Sequence, residues 1–401
     1  MPASSSISQL VVATPPVMPE AGKHTLVCVF LRGGADTMNI VVPYADDHYY
    51  SARPTLSVKR PGTSTDASIR LDDHYAFHPV MKPLEAAFKE GRLGMVQGVG
   101  TDSTSGSHFE CQDQMEHGDS EKAHPTGGGW LGRFLRSRTG DNAASPLSAV
   151  AIGTKLPESL RGAPSVSVLE HLDDIAIKTP SGDPAAVTGA LRRMYGADVT
   201  LLGQRGQQTL DLFNRMSTLH GQPYTPANEA VYPKHAFGDG LRELARLIKA
   251  GVGLEVACVD LNGWDTHFLQ GTTVGGHAAN AKVLAEGLAA FEIDLKSERD
   301  RYTVMITTEF GRRIYENASA GTDHGRGFTF MALGDKVKGG RILGSWPIGV
   351  MDETNPLGPG GVNIQYDFRD VFAEVLSGAM GTVEGSKIFP GAGLASVGLM
   401  A

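Results

Sequence analysis

Tyr302-Thr-Val-Met-Ile-Thr-Thr-Glu-Phe-Gly-Arg-Arg313 decides the fold, together with the Gly321-Thr-Asp-His-Gly325 segment that follows it. Val304, Met305 and Ile306 form a short apolar run closed by polar residues and Gly311, the pattern of a strand buried in a sheet. The run empties into Glu309 and Arg312, then into a glycine-bounded loop carrying Asp323 and His324. Open α/β sheets bind ligands beyond the carboxyl ends of their strands. This stretch therefore reads as one wall of a metal site, with the other walls supplied from elsewhere in the chain.

Upstream, Leu284, Leu288, Phe291 and Leu295 fall at i, i+4, i+7 and i+11 and predict a long helix packed on the sheet. Before it, Leu254 to Leu261 reads as a strand ending in Asn262-Gly-Trp-Asp-Thr-His267. Strand, loop, helix, strand is a βαβ crossover, which produces parallel pairing. Thr25 to Leu31 is a continuous apolar run, as in a strand buried on both faces, and it ends at Arg32-Gly-Gly-Ala-Asp36. Leu93 to Val99 is a further strand, followed by the Ser-rich Thr101-Asp-Ser-Thr-Ser-Gly-Ser-His108 and a helix over Phe109 to Met115. Phe328 to Leu333 adds a strand and Phe368 to Leu376 a late helix. The expected fold class is α/β, a three-layer sandwich around a central, mostly parallel sheet. Residues 1–24 read as a loose tail and 25–401 as a single domain, with 153–235 as a cap or insertion.

Composition narrows the function. The chain has 401 residues, 41% hydrophobic and 20% charged, a globular balance able to bury a large core. A formal net charge of -8 argues against a nucleic-acid or anionic-membrane surface. No run of about 18 apolar residues predicts a membrane span. Cys28, Cys111 and Cys258 are too few and too scattered for a disulfide framework. The first 22 residues show neither a basic n-region nor an apolar h-region, so the expected location is cytoplasmic, or periplasmic if an export signal has been removed.

Four loops at predicted strand ends carry Asp36; Ser107 and His108; Asp265 and His267; and Glu309, Asp323 and His324. Mixed carboxylate and imidazole donors suit zinc, manganese or iron, and their number allows one or two divalent ions. Ser107 stands at a helix start, where it is either a nucleophile or an N-cap. Arg32, Arg312 and Arg326 either hold a substrate anion or belong to ion pairs.

Phe30-Leu-Arg-Gly-Gly-Ala-Asp36, Ser107-His-Phe109 with Gln112-Asp113, Gly263-Trp-Asp-Thr-His267, Glu309-Phe-Gly-Arg312, Gly321-Thr-Asp-His-Gly325, Val337-Lys-Gly-Gly-Arg341 and Arg369-Asp-Val-Phe-Ala-Glu374 resemble the domain of unknown function 1501 family of bacterial proteins. That family is in turn similar to the alkaline phosphatase and sulfatase superfamily. The resemblance implies an alkaline phosphatase-like fold with metal at the strand ends. It implies Asp36, Asp265, His267, Glu309, Asp323 and His324 as metal ligands, and Ser107 at the nucleophile position. It departs from the family at Gly106, where an arginine is usual, and from sulfatases in lacking their Cys/Ser-x-Pro-x-Arg signature. The chain is accordingly expected to be a metal-dependent hydrolase of a phosphate or sulfate ester. Ser107 or a metal-bound hydroxide would attack, with His108 and Arg312 as further catalytic groups and Arg32 and Trp264 touching a small anionic substrate. A metal-dependent oxidative or rearranging enzyme, and a non-catalytic module braced by metal, are the alternatives.

Overall fold

The computed structural model describes residues 23–101, 103, 105–119, 127–139, 145–174, 177, 183–220, 224–345, 361–381 and 383–401. The tail expected over 1–24 lies outside them except for its last two residues. Among the described residues the main sheet has nine strands: β1 Thr25–Arg32, β2 Leu93–Gly100, β3 Ala149–Ile152, β4 Ser167–Leu169, β5 Val256–Asn262, β6 Tyr302–Thr307, β7 Phe328–Leu333, β8 Ile342–Leu343 and β9 Tyr366–Asp367. Their order is β8-β2-β7-β6-β1-β5-β3-β4, with β9 also on β2. Only β7 is antiparallel to its neighbours, β2 and β6. The helices of ten or more residues are α1 His108–His117, α2 Trp130–Thr139, α3 Pro184–Ala197, α4 Leu201–His220, α5 Ala236–Ala250, α6 Gly276–Asp294 and α7 Phe368–Met380.

Side chains alternate across the pleat, so the apolar run of β1 feeds two cores at once. Val27, Val29 and Leu31 pack with Leu241 and Leu244 of α5 and Leu284, Leu288 and Phe291 of α6. Leu26 and Phe30 face the other way, with Phe134 and Leu135 of α2 and Phe372 and Val375 of α7. A central strand apolar on both faces therefore imposes helices on both sides, giving the three-layer α/β sandwich with a mostly parallel sheet. No helix among the described residues is long and apolar enough to cross a membrane.

Within 153–235, α3 and α4 form a helical pair joined by an ion pair, Arg192 Nη1 to Asp211 Oδ1 at 2.8 Å. The α3 helix is unforeseen, although its start is chemically plain: Asp183 caps Ala185 and Ala186, and Pro184 takes the first turn.

Beneath the sheet edge lies a fully buried ion pair that braces the chain after β1. Arg53 grips Asp36 through Nη1–Oδ2 at 2.6 Å and Nη2–Oδ1 at 3.1 Å. It also donates to Asn39 and to the carbonyls of Arg313 and Ile314. Burial pushes the Asp36 carboxyl up, but Arg53, His277 and the Gln270 amide together hold it below its ordinary value. An Arg53→Met variant strands a buried carboxylate and should lose about 3–5 kcal/mol in chemical denaturation. Because the folded Asp36 titrates below the unfolded carboxylate, its stabilisation is complete above about pH 4 and fades as pH falls further. The stability gap between the native chain and Asp36→Asn should therefore narrow on acidification; a gap constant from pH 7 to pH 3 would contradict this account.

Candidate metal centre

Parallel register sets the height at which each loop leaves the sheet. Arg32 pairs with Asn262, and Phe30 with Thr307, so the chains after β1, β5 and β6 emerge side by side. Strand β2 runs in the direction of β6, because both are antiparallel to β7, and delivers α1 to the same edge. The turn after β1 needs glycine: Gly33 and Gly34 hold φ of 119° and 63°. A β-carbon on Gly33 would lie 2.6 Å from the Asp265 nitrogen, and one on Gly34 2.4 Å from the Phe310 ring.

Arg312 ties these loops together from a completely buried position. Its Nε donates to the Gly34 carbonyl at 2.6 Å and its Nη1 to that of Thr322 at 2.8 Å. Its Nη2 reaches the carbonyls of Gly33 and Trp264 and Asp265 Oδ1, the last at 2.7 Å. Burial pushes the Asp265 carboxyl up, but Arg312, with His108 and His324, holds it down at about 2. Asp265 is therefore a carboxylate throughout the physiological range.

Around Asp265 Oδ1 three imidazoles present their Nε2 atoms: His267 at 3.1 Å, His108 at 3.3 Å and His324 at 3.4 Å. The Nε2 atoms of His267 and His324 are 2.8 Å apart. Ring centroids are 4.4 Å apart between His108 and His324, and 4.6 Å between His324 and His267, so His324 occupies the middle of the row. Each Nδ1 has an acceptor behind it: Glu309 Oε1 at 2.8 Å for His108, Asp323 Oδ1 at 3.1 Å for His267, and the Gly106 carbonyl at 2.8 Å for His324. Those acceptors assign the proton to Nδ1 in each neutral ring and leave the Nε2 lone pairs pointing inward.

Such an arrangement demands positive charge in the middle. Two Nε2 lone pairs at 2.8 Å need a proton or a cation between them, and the His108 Nε2 is buried without a hydrogen-bond partner. Donor atoms sharing one ion at about 2.0–2.2 Å stand roughly 2.8–3.6 Å apart in tetrahedral or octahedral geometry. The distances from Asp265 Oδ1 to the Nε2 atoms of His108 and His324, 3.3 and 3.4 Å, fall in that interval, as do those from His267 Nε2 to Asp265 Oδ1 and His324 Nε2, 3.1 and 2.8 Å. Acceptors behind metal-bound imidazoles are the usual means of orienting them. Imidazole nitrogens together with a carboxylate oxygen suit zinc, manganese or iron. Among the described residues, His108, Asp265 and His324 form one group whose donor atoms lie within 4.8 Å of one another, and His267 adjoins it.

Other residues expected at the site stand differently. Asp36 is away from the row, engaged by Arg53 and by Gln270 Nε2 at 2.6 Å. Glu309 and Asp323 are at the site but behind histidines: Glu309 Oε1 also accepts from Gly33 N and Gln112 Nε2, and Asp323 from Asn317 Nδ2. Arg312 is walled in by carbonyls, and Arg32 is held by Asp260, Gln112 and Glu116. Neither guanidinium is presented to an anion as the sequence suggested, because each has buried acceptors closer at hand. Arg32 instead lines a cleft of about 860 Å³ beyond the ends of β3 and β5. Trp264 is fully buried, edge-on to His277 at 5.5 Å. Ser107 occupies the N-cap of α1 but its hydroxyl makes no capping bond. It sits between Gly106, which holds His324, and His108.

Gln112, Asn317, Arg53 and Gln270 were not among the expected residues. Gln112 carried a readable signal, since it follows His108 by one helical turn and both reach Glu309. The others become neighbours only through tertiary contacts.

A family model described as "Protein of unknown function (DUF1501)" matches residues 23–383. No curated protein matches the sequence. Among solved structures, the chain is similar to the PsFucS1 sulfatase from Pseudoalteromonas sp., at 13% identity over 95% of this chain and 74% of that one, with a TM-score of 0.38. It is also similar to the alkaline phosphatase from the Antarctic bacterium TAB5, at 9% identity over 90% and 100% of the two chains, with a TM-score of 0.33. The C-terminal periplasmic domain of EcEptC from Escherichia coli, in complex with Zn, gives 11% identity over 80% and 77%, with a TM-score of 0.34.

Titration calorimetry with Zn²⁺ or Mn²⁺ should find a tight site that His324→Ala abolishes. Glu309→Gln, which removes the charge behind His108, should weaken binding by about 10–100-fold. Unchanged affinity in both variants would remove this cluster as the metal centre.

Proposed function

The chain belongs to this DUF1501 family, and from the chemistry of its site we propose that it is a metal-dependent hydrolase of phosphate or sulfate esters, with Ser107 as the attacking group. One observation carries the reading: three inward-facing Nε2 atoms and Asp265 Oδ1 converge beside a helix start whose serine is not used as a cap. His108, His324 and Asp265 would hold the ion, with His267 adjoining them and Glu309, Asp323 and the Gly106 carbonyl fixing the rings. A divalent cation there supplies Lewis-acid stabilisation of charge on the ester oxygens.

The protein's own groups then divide the remaining work. The first turn of α1 adds the positive end of its dipole next to His108, a favourable place for an anion. Ser107 Oγ forms a bond to phosphorus or sulfur as the bond to the ester oxygen breaks. Its hydroxyl proton leaves with the departing alcohol, and water then releases inorganic anion and restores Ser107. Arg312 acts at one remove, keeping Asp265 ionised and aimed.

Metal-replete protein should hydrolyse p-nitrophenyl phosphate or sulfate, and chelator should abolish turnover. Ser107→Ala should lower kcat at least about a hundredfold while metal content stays at the native level. Turnover that survives Ser107→Ala would leave direct attack by water. Absence of turnover on phosphomonoesters, phosphodiesters and sulfate esters, combined with a lowered Tm in His324→Ala, would make the centre a structural brace.

A further inference from the structure

The chain has 15 phenylalanines, and twelve of them are buried. Two stand in water, Phe109 at 87% exposure and Phe268 at 73%. Each directly follows a clustered histidine, His108 in one case and His267 in the other. Because His324 lies in the middle of the row, the exposed rings are attached at its two ends. Exposed apolar side chains are ordinary when scattered singly, but here the only two exposed phenyl rings among the described residues each adjoin, in sequence, a histidine of one row.

The segment carrying Phe268 is also held rigidly in place. His267 bonds to Asp323 on one side, and Gln270 is completely buried on the other, reaching Asp36, Thr266 and Thr322. Leu269 N and Gln270 N donate to the carbonyls of Ser319 and Ala320. Between these anchors Leu269 is 81% exposed and holds a φ of 45°, a conformation that a leucine rarely adopts. The loop is thus anchored at both ends, with Phe268 and Leu269 exposed between the anchors and Leu269 in the left-handed region.

Resting on the ester reading above, we propose that Phe109 and Phe268, with Leu269, form an apolar clamp for the organic group of the substrate. The preferred ester would then carry an aryl or comparably bulky apolar group next to its anionic head. The head reaches the histidine row while the apolar group is covered by the two rings, removing their faces from water.

Non-hydrolysable phosphonates separate the two parts of this claim. Calorimetry on the metal-loaded protein should show phenylphosphonate binding roughly tenfold tighter than methylphosphonate, a difference of about 1.4 kcal/mol. Phe109→Ser and Phe268→Ser, both at exposed positions, should each reduce that preference and jointly erase it, with metal stoichiometry and Tm unchanged. Equal affinity for the two phosphonates in the native chain, or a preference that survives the double variant, would overturn the clamp alone. Failure of both phosphonates, and of phenyl- and methylsulfonate, to bind would overturn the ester reading and the clamp with it. Co-sedimentation of the native chain with phosphatidylcholine vesicles, lost in the double variant without any phenylphosphonate preference, would also overturn it, making the rings a lipid-facing surface.

Discussion

The rigid fork of the Arg312 guanidinium is the constraint on which the site depends. Three loops that are distant in sequence, those at Gly33–Gly34, Trp264–Asp265 and Thr322, converge on its N–H groups. A planar group with fixed donor directions admits little variation in where its acceptors stand. A buried cation also has to be neutralised, and Asp265 does this while leaving its Oδ1 next to the histidines. Sheet register brings the loops to one edge; Arg312 sets their spacing once there.

Outward from that anchor the site is organised in two layers. The inner one presents imidazole nitrogens and one carboxylate oxygen. The outer one holds Glu309, Asp323 and the Gly106 carbonyl against the far nitrogens, choosing the tautomer of each ring. The carboxylates are more useful there than facing an ion, because an imidazole without a partner on Nδ1 can swing or present the wrong nitrogen. The backbone N–H of Gly33 and the side-chain amides of Gln112 and Asn317 donate to the outer carboxylates in turn, so the order reaches back into the sheet. Similar architecture hosts many chemistries, and here the donor set and a Ser107 hydroxyl that makes no capping bond, not the sandwich, carry the functional reading.

Much of this was legible beforehand, for definite reasons. The apolar β1 run implied burial on both faces and hence a helical layer on each side. Acids and histidines placed just after strands implied loops that meet at the carboxyl edge, and His108, Asp265, His267 and His324 do meet there. What failed to transfer was the direction of individual side chains. Asp36 lies on the turn after β1 yet points into the buried pair with Arg53, a residue 17 positions away that no local pattern marks. Arg32 and Arg312 looked free for an anion because their acceptors lie 228 and 278 residues away from them in sequence, at Asp260 and Gly34.

The sequence by itself determined the layer architecture, the strand ends and the chemical types gathered at them, because hydrophobic period and loop position are local properties. Only the tertiary structure decided which groups face the centre and which stand behind. That choice is made by hydrogen-bond partners from other strands, and a side chain's rotamer follows whichever buried donor or acceptor would otherwise go unsatisfied.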